Sequence, residues 1–297
     1  MYAQFFGNYL LSHGVVTQEQ LLQAMQKAAT EKIKLGTLAI HAGYMTADEV
    51  ERIIILQTHQ DRRFGELAIQ EGYLTEAEVS ELLKAQQPDF LLLGQALVDG
   101  NMIDNKQLQD LIIRYQSENE LSDFDYSADA KEQIDQLIEK FFVVAEHPLS
   151  DYEVPFLRLF LNNLIRFIGD DFTLATPSLC KEYPRNYCVS QQIIGSCPMN
   201  TFLDMPQETA IAFASRYADE LFTEFDEYVR SSLEDFLNLN NGLFTVNLSN
   251  EDSVELILTP PVTESPELLV FNVETYLLPI VYPFGTLYFL LEMTKNS

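Results

Sequence analysis

The residue types that most often do chemistry in proteins are scattered along this chain. Its four histidines show no H-E-x-x-H spacing and no nearby nucleophile motif, so ordinary loop or surface positions are expected for them. Its three cysteines lack C-x-x-C spacing, which argues against a zinc site or a disulfide framework and favours reduced, buried thiols. The sequence also shows no hydrolase nucleophile elbow, P-loop or dinucleotide fingerprint.

One acid and one amide do share a helix face. Asp235 and Asn238 are three residues apart in a helix predicted over 219–240, and this spacing brings both side chains to one side. The inward stripe of that helix is predicted to be Phe222, Phe225, Val229, Leu233, Phe236 and Asn240. The pair points about 120 to 180 degrees away from the stripe and is expected to be exposed. The alternative is a solvated acidic face, where Asn238, Asn240, Asn241 and Gly242 only end the helix.

The charge balance limits what the chain can bind. The 297 residues carry 18 Lys and Arg against 45 Asp and Glu, a net charge of −27. Residues 1–116 hold 9 basic and 15 acidic residues, whereas 117–297 hold 9 and 30. Nucleic acid polymers would be repelled along most of the surface, so they are not expected as partners. Any anionic ligand is expected to bind in the first part of the chain.

Neither end of the chain predicts a membrane segment. The first residues, Met1 to Gly7, lack a basic region ahead of an apolar core, so a signal peptide is not expected. The protein is therefore expected to be cytoplasmic. The uncharged stretch from Thr275 to Leu291 contains Pro279, Pro283 and Gly285. These residues favour two buried strands around a turn over a membrane span.

Four copies of a 29-residue unit fill the first part of the chain. Gly7, Gly36, Gly65 and Gly94 are spaced by 29 residues, and seven residues after each comes a Gly or Asn that suits the end of a short helix. Three residues further, each unit has a capping box that predicts the start of a second helix. The four boxes are Thr17 with Gln20, Thr46 with Glu49, Thr75 with Glu78 and Asp104 with Gln107. Because no unit can bury its apolar stripes alone, one compact or solenoidal helical domain is expected over 1–116.

These repeats resemble the MshEN-like N-terminal domain of type II secretion and pilus assembly ATPases. The family motif opens with Arg-Leu-Gly and closes with Gln. The second unit runs from Lys34-Leu35-Gly36 to Gln57, and the third from Arg63-Phe64-Gly65 to Gln86. The first and fourth units lack the cation. Some members of the family bind cyclic di-GMP, so the resemblance implies a site for it at these eight residues, with Arg62 as a further cation. A protein-docking scaffold without a ligand is the alternative.

The rest of the chain is predicted to divide again. Residues 117–127 are polar and acidic, and 128–146 regain a helical pattern, so 117–147 is interpreted as an acidic linker with a connecting helix. Residues 148–297 are predicted to be an α+β domain with an antiparallel-rich sheet. The predicted helices are 154–168, 206–218 and 219–240. The predicted strands are 188–194, 201–205, 244–248, 253–258, 268–273, 276–282 and 286–292.

The order of these elements resembles the CheX-like branch of chemotaxis phosphatases over roughly 150–297. That family hydrolyses the phospho-aspartate of response-regulator receivers with a Glu-x-x-Asn pair on a long helix. Laid on this chain, the pair falls at Asp235 and Asn238, with an acid one methylene shorter. The resemblance implies that Asn238 orients the attacking water and that Asp235 pairs with a cation of the receiver. Glu234, in a shifted register, is the alternative acid.

Together the two resemblances imply a bacterial signalling protein with a sensory or docking repeat domain and a receiver phosphatase domain. The resemblance further implies Mg²⁺ on the receiver and no cofactor in the protein itself. A homodimer through the apolar edge candidates Leu268–Val273 and Tyr276–Tyr282 is also predicted. The alternative function is a non-catalytic adaptor in which both domains only bind protein.

Overall fold

The chain divides into two compact units, 1–124 and 125–297. The computed structural model describes residues 2–85, 90–121, 138, 152–252, 255–263 and 268–293. The helices of the first unit are α1 (Tyr2–Ser12), α2 (Gln18–Ala28), α3 (Leu35–His41), α4 (Ala47–His59), α5 (Phe64–Gln70), α6 (Glu76–Lys84), α7 (Phe90–Asp99) and α8 (Asn105–Leu121). Each repeat is thus a short helix followed by a second helix, as the sequence predicts.

The turns and caps of the repeats follow the sequence signals. The backbone is left-handed at the four positions after the short helices, with φ of +64° at Gly14, +71° at Gly43, +78° at Gly72 and +55° at Asn101. The four predicted capping boxes all form, and three of them join a Thr side chain to the third helical residue. Since each box satisfies two helix-terminal N–H groups, it fixes where the second helix begins.

The repeats pack as reciprocal pairs. A Cβ added at Gly36 would lie 2.9 Å from Val50 and 3.3 Å from the ring of Phe64, whereas one added at Gly65 would lie 3.0 Å from Leu35. In the second and third repeats, an apolar side chain of each repeat therefore packs over the glycine of the other. The first repeat packs against the fourth repeat, and the ring centroids of Phe6 and Phe90 are 5.3 Å apart. This arrangement is the compact form of the domain expected from the repeats.

The boundary segment differs in detail from its prediction. Helix α8 continues to Leu121, beyond the start of the stretch interpreted as a linker, so residues 117–121 are helical. The connecting helix predicted over 128–146 lies outside the described residues, apart from Ile138, which is helical and buried.

The second unit is an α+β domain with an antiparallel sheet, which confirms the predicted fold class. Apart from the helical residue Ile138, the helices described in it are α9 (Glu153–Phe167), α10 (Gln207–Ala218) and α11 (Glu227–Asp252). Its strands are β1 (Thr173–Leu174), β2 (Ser178–Pro184), β3 (Tyr187–Gly195), β4 (Met199–Met205), β5 (Leu256–Leu258), β6 (Val262–Thr263), β7 (Leu268–Tyr282) and β8 (Gly285–Met293). The sheet order is β1-β7-β8-β4-β3-β5, with β2 also paired to β7 and β6 to β3. Every pairing is antiparallel.

An aromatic core joins α9, α10 and α11 to the sheet. Phe160 of α9 stacks on Phe289 of β8 at 4.0 Å, and Phe236 of α11 contacts Phe160 and Phe213 of α10 edge-on. Successive side chains of a strand point to opposite faces of the sheet. On the face away from these helices, the ring centroids of Phe202 of β4 and Phe271 of β7 are 5.3 Å apart. The sheet is therefore packed on both faces, and it gives α11 a rigid base.

Three predictions for this unit are wrong in extent or type. The long helix starts at Glu227 and ends at Asp252, so the strand predicted over 244–248 is helical. Phe244 and Leu248 are buried because they continue the inward stripe of α11. The two strands predicted over 268–273 and 276–282 are one strand, β7.

The edge prediction for Tyr276–Tyr282 is also wrong. These residues pair with β8 on one side and with β1 or β2 on the other, so they lie inside the sheet. The homodimer stays a prediction. The turn predicted between the last two strands is confirmed, because β7 ends at Tyr282 and β8 begins at Gly285. In the part of the chain that the structure describes, no helix has the length and apolar character needed to cross a membrane.

Candidate functional site

Asp235 and Asn238 are both exposed on the outer face of α11. The opposite face of the helix is buried: Val229, Leu233 and Phe236 have no exposed surface. Their three- and four-residue spacing anchors the helix to the sheet and leaves the acid and the amide on the solvent side. The pair therefore lies where the helical spacing predicts it.

The pair lines an open groove of about 560 Å³. Its walls come from α10 and the chain that follows it, from α11, and from the segment before β6. The lining residues are Tyr217, Ala218, Glu220, Phe222, Tyr228, Ser231, Ser232, Glu234, Asp235, Asn238 and Pro261. Three of these side chains are carboxylates and none is a cation, so the groove suits a positively charged group.

Tyr217 of α10 holds the carboxylate of Asp235. The Tyr217 hydroxyl donates a hydrogen bond of 2.7 Å to Oδ2 of Asp235. Burial, and then this hydrogen bond, raise the pKa of Tyr217 well above its usual value, so the hydroxyl remains a donor at neutral pH. The ring of Tyr217 packs perpendicular to Phe236 at 5.8 Å, which fixes the hydroxyl in place. One carboxylate oxygen is thus engaged while the residue stays exposed.

Gln191 of β3 holds the carboxamide of Asn238. Its Nε2 donates to Oδ1 of Asn238 at 2.8 Å and to the carbonyl oxygen of Thr259, also at 2.8 Å. Gln191 is only 1% exposed and points to the helix side of the sheet, between Val189 and Ile193. A buried residue of the sheet therefore orients an exposed residue of the helix.

Glu234, the alternative acid, lies at the edge of the same groove. It is half-buried, and its Oε1 accepts a hydrogen bond of 2.8 Å from the hydroxyl of Thr263 in β6. Asp235 is the more exposed of the two carboxylates. Among the described residues, no group of three His, Cys, Asp or Glu side chains could hold a metal ion.

Two exposed apolar side chains flank the pair on α11. Tyr228 is 72% exposed and Val246 is 58% exposed. They lie seven residues before and eleven residues after Asp235, spacings that return to nearly the same angle around a helix. The face thus has one exposed apolar side chain on either side of its polar centre.

In the first unit, the residues implied for cyclic di-GMP have packing or structural contacts. Both amine contacts of Lys34 to the carboxylate oxygens of Asp99 are 2.6 Å long. Gln57 Nε2 donates to the carbonyl oxygen of Arg62 at 3.1 Å. Leu35 and Phe64 pack over Gly65 and Gly36, as described above.

The remaining two residues of that set differ in what the structure shows. The side chain of Arg63 is exposed at the N-cap of α5, where it makes no capping hydrogen bond. Gln86 lies outside the described residues.

Sequence reasoning missed Tyr217 and Gln191, the residues that hold the pair. A signal for Gln191 exists, because an amide at an inward position of a strand needs a hydrogen-bonding partner from the element packed above it. For Tyr217 the sequence shows only an aromatic residue in a helix, and that pattern is equally typical of ordinary packing.

Comparisons with known proteins find similarities only among solved structures. No protein-family model matches the chain, and no curated protein is a significant match. A complex of CheX with CheY, BeF3 and Mg²⁺ from Borrelia burgdorferi is 20% identical, over 49% of this chain and 99% of that one, with a TM-score of 0.41. A CheC-like superfamily protein from Shewanella sp. PV-4 is 17% identical, over 48% and 97%, with a TM-score of 0.42. A chemotaxis protein CheX from Desulfovibrio desulfuricans is 12% identical, over 49% and 100%, with a TM-score of 0.42.

These neighbours are CheX-like and CheC-like chemotaxis proteins, and each covers about half of this chain. Because the TM-scores are below 0.5, the likenesses by themselves carry no argument about activity or partner. The MshEN-like resemblance of the repeats stays a prediction.

Proposed function

We propose that the second unit binds a phosphorylated response-regulator receiver and hydrolyses its phospho-aspartate. The observation that carries this proposal is the exposed acid and amide on one face of α11, each held in place by a residue from a neighbouring element. The sequence resemblance to CheX-like phosphatases supplies the reaction, and the groove supplies the space for it.

The reaction needs a positioned water more than it needs a strong base. Water attacks the phosphorus in line, the bond from phosphorus to the aspartate oxygen breaks, and its electron pair stays on the released carboxylate. Asn238 is neutral at all relevant pH values, so it can hold the water without adding a charge next to the phosphoryl group. Holding a reactant in line is a major source of rate acceleration.

The acidic groove supports a cationic partner surface. Asp235 has one oxygen bound to Tyr217, and the residue lines the groove together with Glu220 and Glu234. A lysine or arginine of the receiver would pair with this group and fix the approach of the phosphoryl group to Asn238. Tyr228 and Val246 are expected to bury apolar surface at the two ends of the same contact.

Replacing Asn238 by Ala tests the proposal directly. Receivers of the CheY type from the same organism are phosphorylated with acetyl phosphate and Mg²⁺, and the release of phosphate is followed with and without this protein. Asn238→Ala is expected to lower the stimulated hydrolysis by about 10²-fold, the loss that a misplaced reactant causes. Asn247→Ala is the matched control, because Asn247 is an exposed amide on the same helix away from the groove.

The adaptor alternative predicts a different result. An adaptor binds the BeF3-activated receiver equally well with Asn238 or Ala and accelerates hydrolysis with neither. If hydrolysis is stimulated but is the same for Asn238→Ala and the unaltered protein, the assignment of Asn238 is wrong.

A further inference from the structure

Five carboxamides form a continuous chain of hydrogen bonds that ends at Asn238. Asn163 of α9 donates to Asn240 at 2.9 Å, and Asn240 donates to Asn241 at 3.4 Å. Asn241 donates to Oε1 of Gln191 at 2.9 Å, and Gln191 donates to Oδ1 of Asn238 at 2.8 Å. The four amide residues that precede Asn238 in this series of hydrogen bonds are at most 4% exposed, whereas Asn238 is exposed. The series of hydrogen bonds therefore runs from the core of the unit to the candidate site.

The direction of this chain is fixed by groups that are not amides. The carbonyl oxygen of Thr259 can only accept, so the end of Gln191 that lies 2.8 Å from it must be Nε2. That nitrogen also faces Asn238, and the atom of Asn238 that meets it must be an acceptor, Oδ1.

A second anchor gives the same direction. The hydroxyl of Thr201 donates its only hydrogen to the main-chain carbonyl oxygen of Gln191 at 3.1 Å. It therefore accepts the hydrogen bond of 2.7 Å from Asn241. The end of Asn241 near Thr201 is therefore Nδ2, and the same nitrogen donates to Oε1 of Gln191. Reversing any amide of this set would place two donors or two acceptors face to face.

The consequence concerns the exposed end of Asn238. Its oxygen is occupied from inside, and none of the described residues accepts from its Nδ2. Hydrogen bonds in series polarise one another, so the last amide of the chain is a stronger donor than an isolated one.

We propose that Gln191 is the positioning residue of the site: through this chain it turns the NH2 group of Asn238 outward, as a hydrogen-bond donor. The orientation of Asn238 stands on the structure alone, whereas its use in hydrolysis rests on the proposed function. In that reaction Nδ2 donates to one lone pair of the water oxygen and leaves the other lone pair for the phosphorus. The amide takes no proton, so the water proton leaves with the phosphate or to solvent.

Gln191→Glu in the full-length protein tests the orientation without any partner. Side-chain NH2 signals are observed by ¹⁵N NMR at neutral pH, and Asn238→Asp identifies the signal of Asn238 by its loss. In the unaltered protein the NH2 protons of Asn238 are expected to exchange rapidly with water. A carboxylate at position 191 presents only acceptors to Asn238 and turns its NH2 group inward. Exchange is then expected to slow by about tenfold, which is the protection that one hydrogen bond gives.

The direction of this effect separates positioning from stability. A variant that merely loosens the structure would speed the exchange, whereas reorientation slows it. Gln192→Glu is the control, because Gln192 is an exposed neighbour on the other face of β3 and makes the same charge change. The proposal is overturned if the NH2 protons of Asn238 are already protected in the unaltered protein, or if Gln191→Glu leaves their exchange unchanged or faster.

Kinetics with the phosphorylated receiver test the use of this orientation. Gln191→Glu is expected to lower kcat towards that of Asn238→Ala and to leave KM unchanged, because Asp235 and the apolar flanks still bind.

If Gln191→Glu does not fold, Gln191→Met removes the donor at similar side-chain length and is expected to lower kcat too. A full kcat for Gln191→Met together with a low one for Asn238→Ala would refute the positioning role. Equal stimulated rates for Asn238→Ala and the unaltered protein would refute the part of Asn238 in the proposed function, and the exchange experiment would still decide the orientation.

Discussion

The carboxylate of Asp235 is held by a hydrogen bond from Tyr217 and still remains accessible to solvent. The hydroxyl of Tyr217 binds one carboxylate oxygen at 2.7 Å, and the side chain stays exposed at the groove. One carboxylate oxygen accepts from Tyr217 inside the protein, and the other oxygen is left for the partner's cation in the proposed function.

The length of this acid is expected to limit the reaction. Asp235→Glu adds one methylene and extends the carboxylate towards the partner, so stimulated hydrolysis of the phosphorylated receiver should rise. Asp235→Asn removes the charge and should raise KM about 10- to 10²-fold, the loss that corresponds to a charge-assisted hydrogen bond. Phosphate release at several receiver concentrations separates the two effects.

Glu234→Gln is the control for this series and decides the register. Since Glu234 already accepts from Thr263, its substitution should change KM little. A larger effect for Glu234→Gln than for Asp235→Asn would show that Glu234 is the acting acid.

At the scale of single residues, the sequence predicts the exposed members of the site but not the buried ones. The spacing of Asp235 and Asn238 against an apolar stripe is enough to place them on the solvent face of a helix. Gln191 is 47 positions away in the sequence from Asn238, and only the packing of α11 on β3 brings the two amides to 2.8 Å. Contacts of this kind depend on the tertiary structure, and no local pattern contains them.

At the scale of elements, helix α11 shows where local signals fail. Asn240, Asn241 and Gly242 are residues that often end a helix, yet α11 continues for ten residues beyond Gly242. The side chains of Asn240 and Asn241 bond to Asn163, Gln191 and Thr201, and therefore do not compete with the backbone hydrogen bonds of the helix. By contrast, the capping boxes of the repeats involve residues three positions apart, and the sequence predicts them correctly.

The short helices of the repeats are the elements at which the sequence resemblance implies a site for cyclic di-GMP. We propose that cyclic di-GMP contacts the second and third repeats, and that Arg63, whose side chain is exposed, binds it. Calorimetry should show that Arg63→Ala weakens binding by about 1.5–3 kcal/mol, the value of a charge-assisted hydrogen bond. Asp99→Asn should strengthen binding, because Asp99 now occupies the amine of Lys34.

Lys106→Ala is the matched control for this experiment, since it removes an exposed cation from the fourth unit, which lacks the motif. No heat on adding cyclic di-GMP to the unaltered protein would remove the nucleotide hypothesis and leave the repeats as a docking scaffold.

At the scale of the whole molecule, each unit contains its own core. In the first unit the rings of Phe6, Phe90 and Tyr115 form one cluster with centroids 5.0 to 5.5 Å apart. Phe6 belongs to the first repeat, and Phe90 and Tyr115 belong to the two helices of the fourth. In the second unit, aromatic side chains from α9, α10 and α11 pack on β8. The repeat period predicts the first core, whereas the second depends on strand pairings distant in sequence.

The first unit should therefore fold by itself. A fragment of residues 1–124 keeps every described helix of the repeats, including α8 to Leu121, and the three rings of the aromatic cluster. Its far-UV circular dichroism should be helical, and its thermal unfolding should be cooperative, because the four repeats bury one another's apolar stripes. Phe6→Ala in the fragment should lower the free energy of unfolding by about 3–5 kcal/mol, the usual cost of removing a buried ring. A fragment of 1–124 that is unfolded, while the whole chain is folded, would show that the repeats need the rest of the protein and that the division of the chain is wrong.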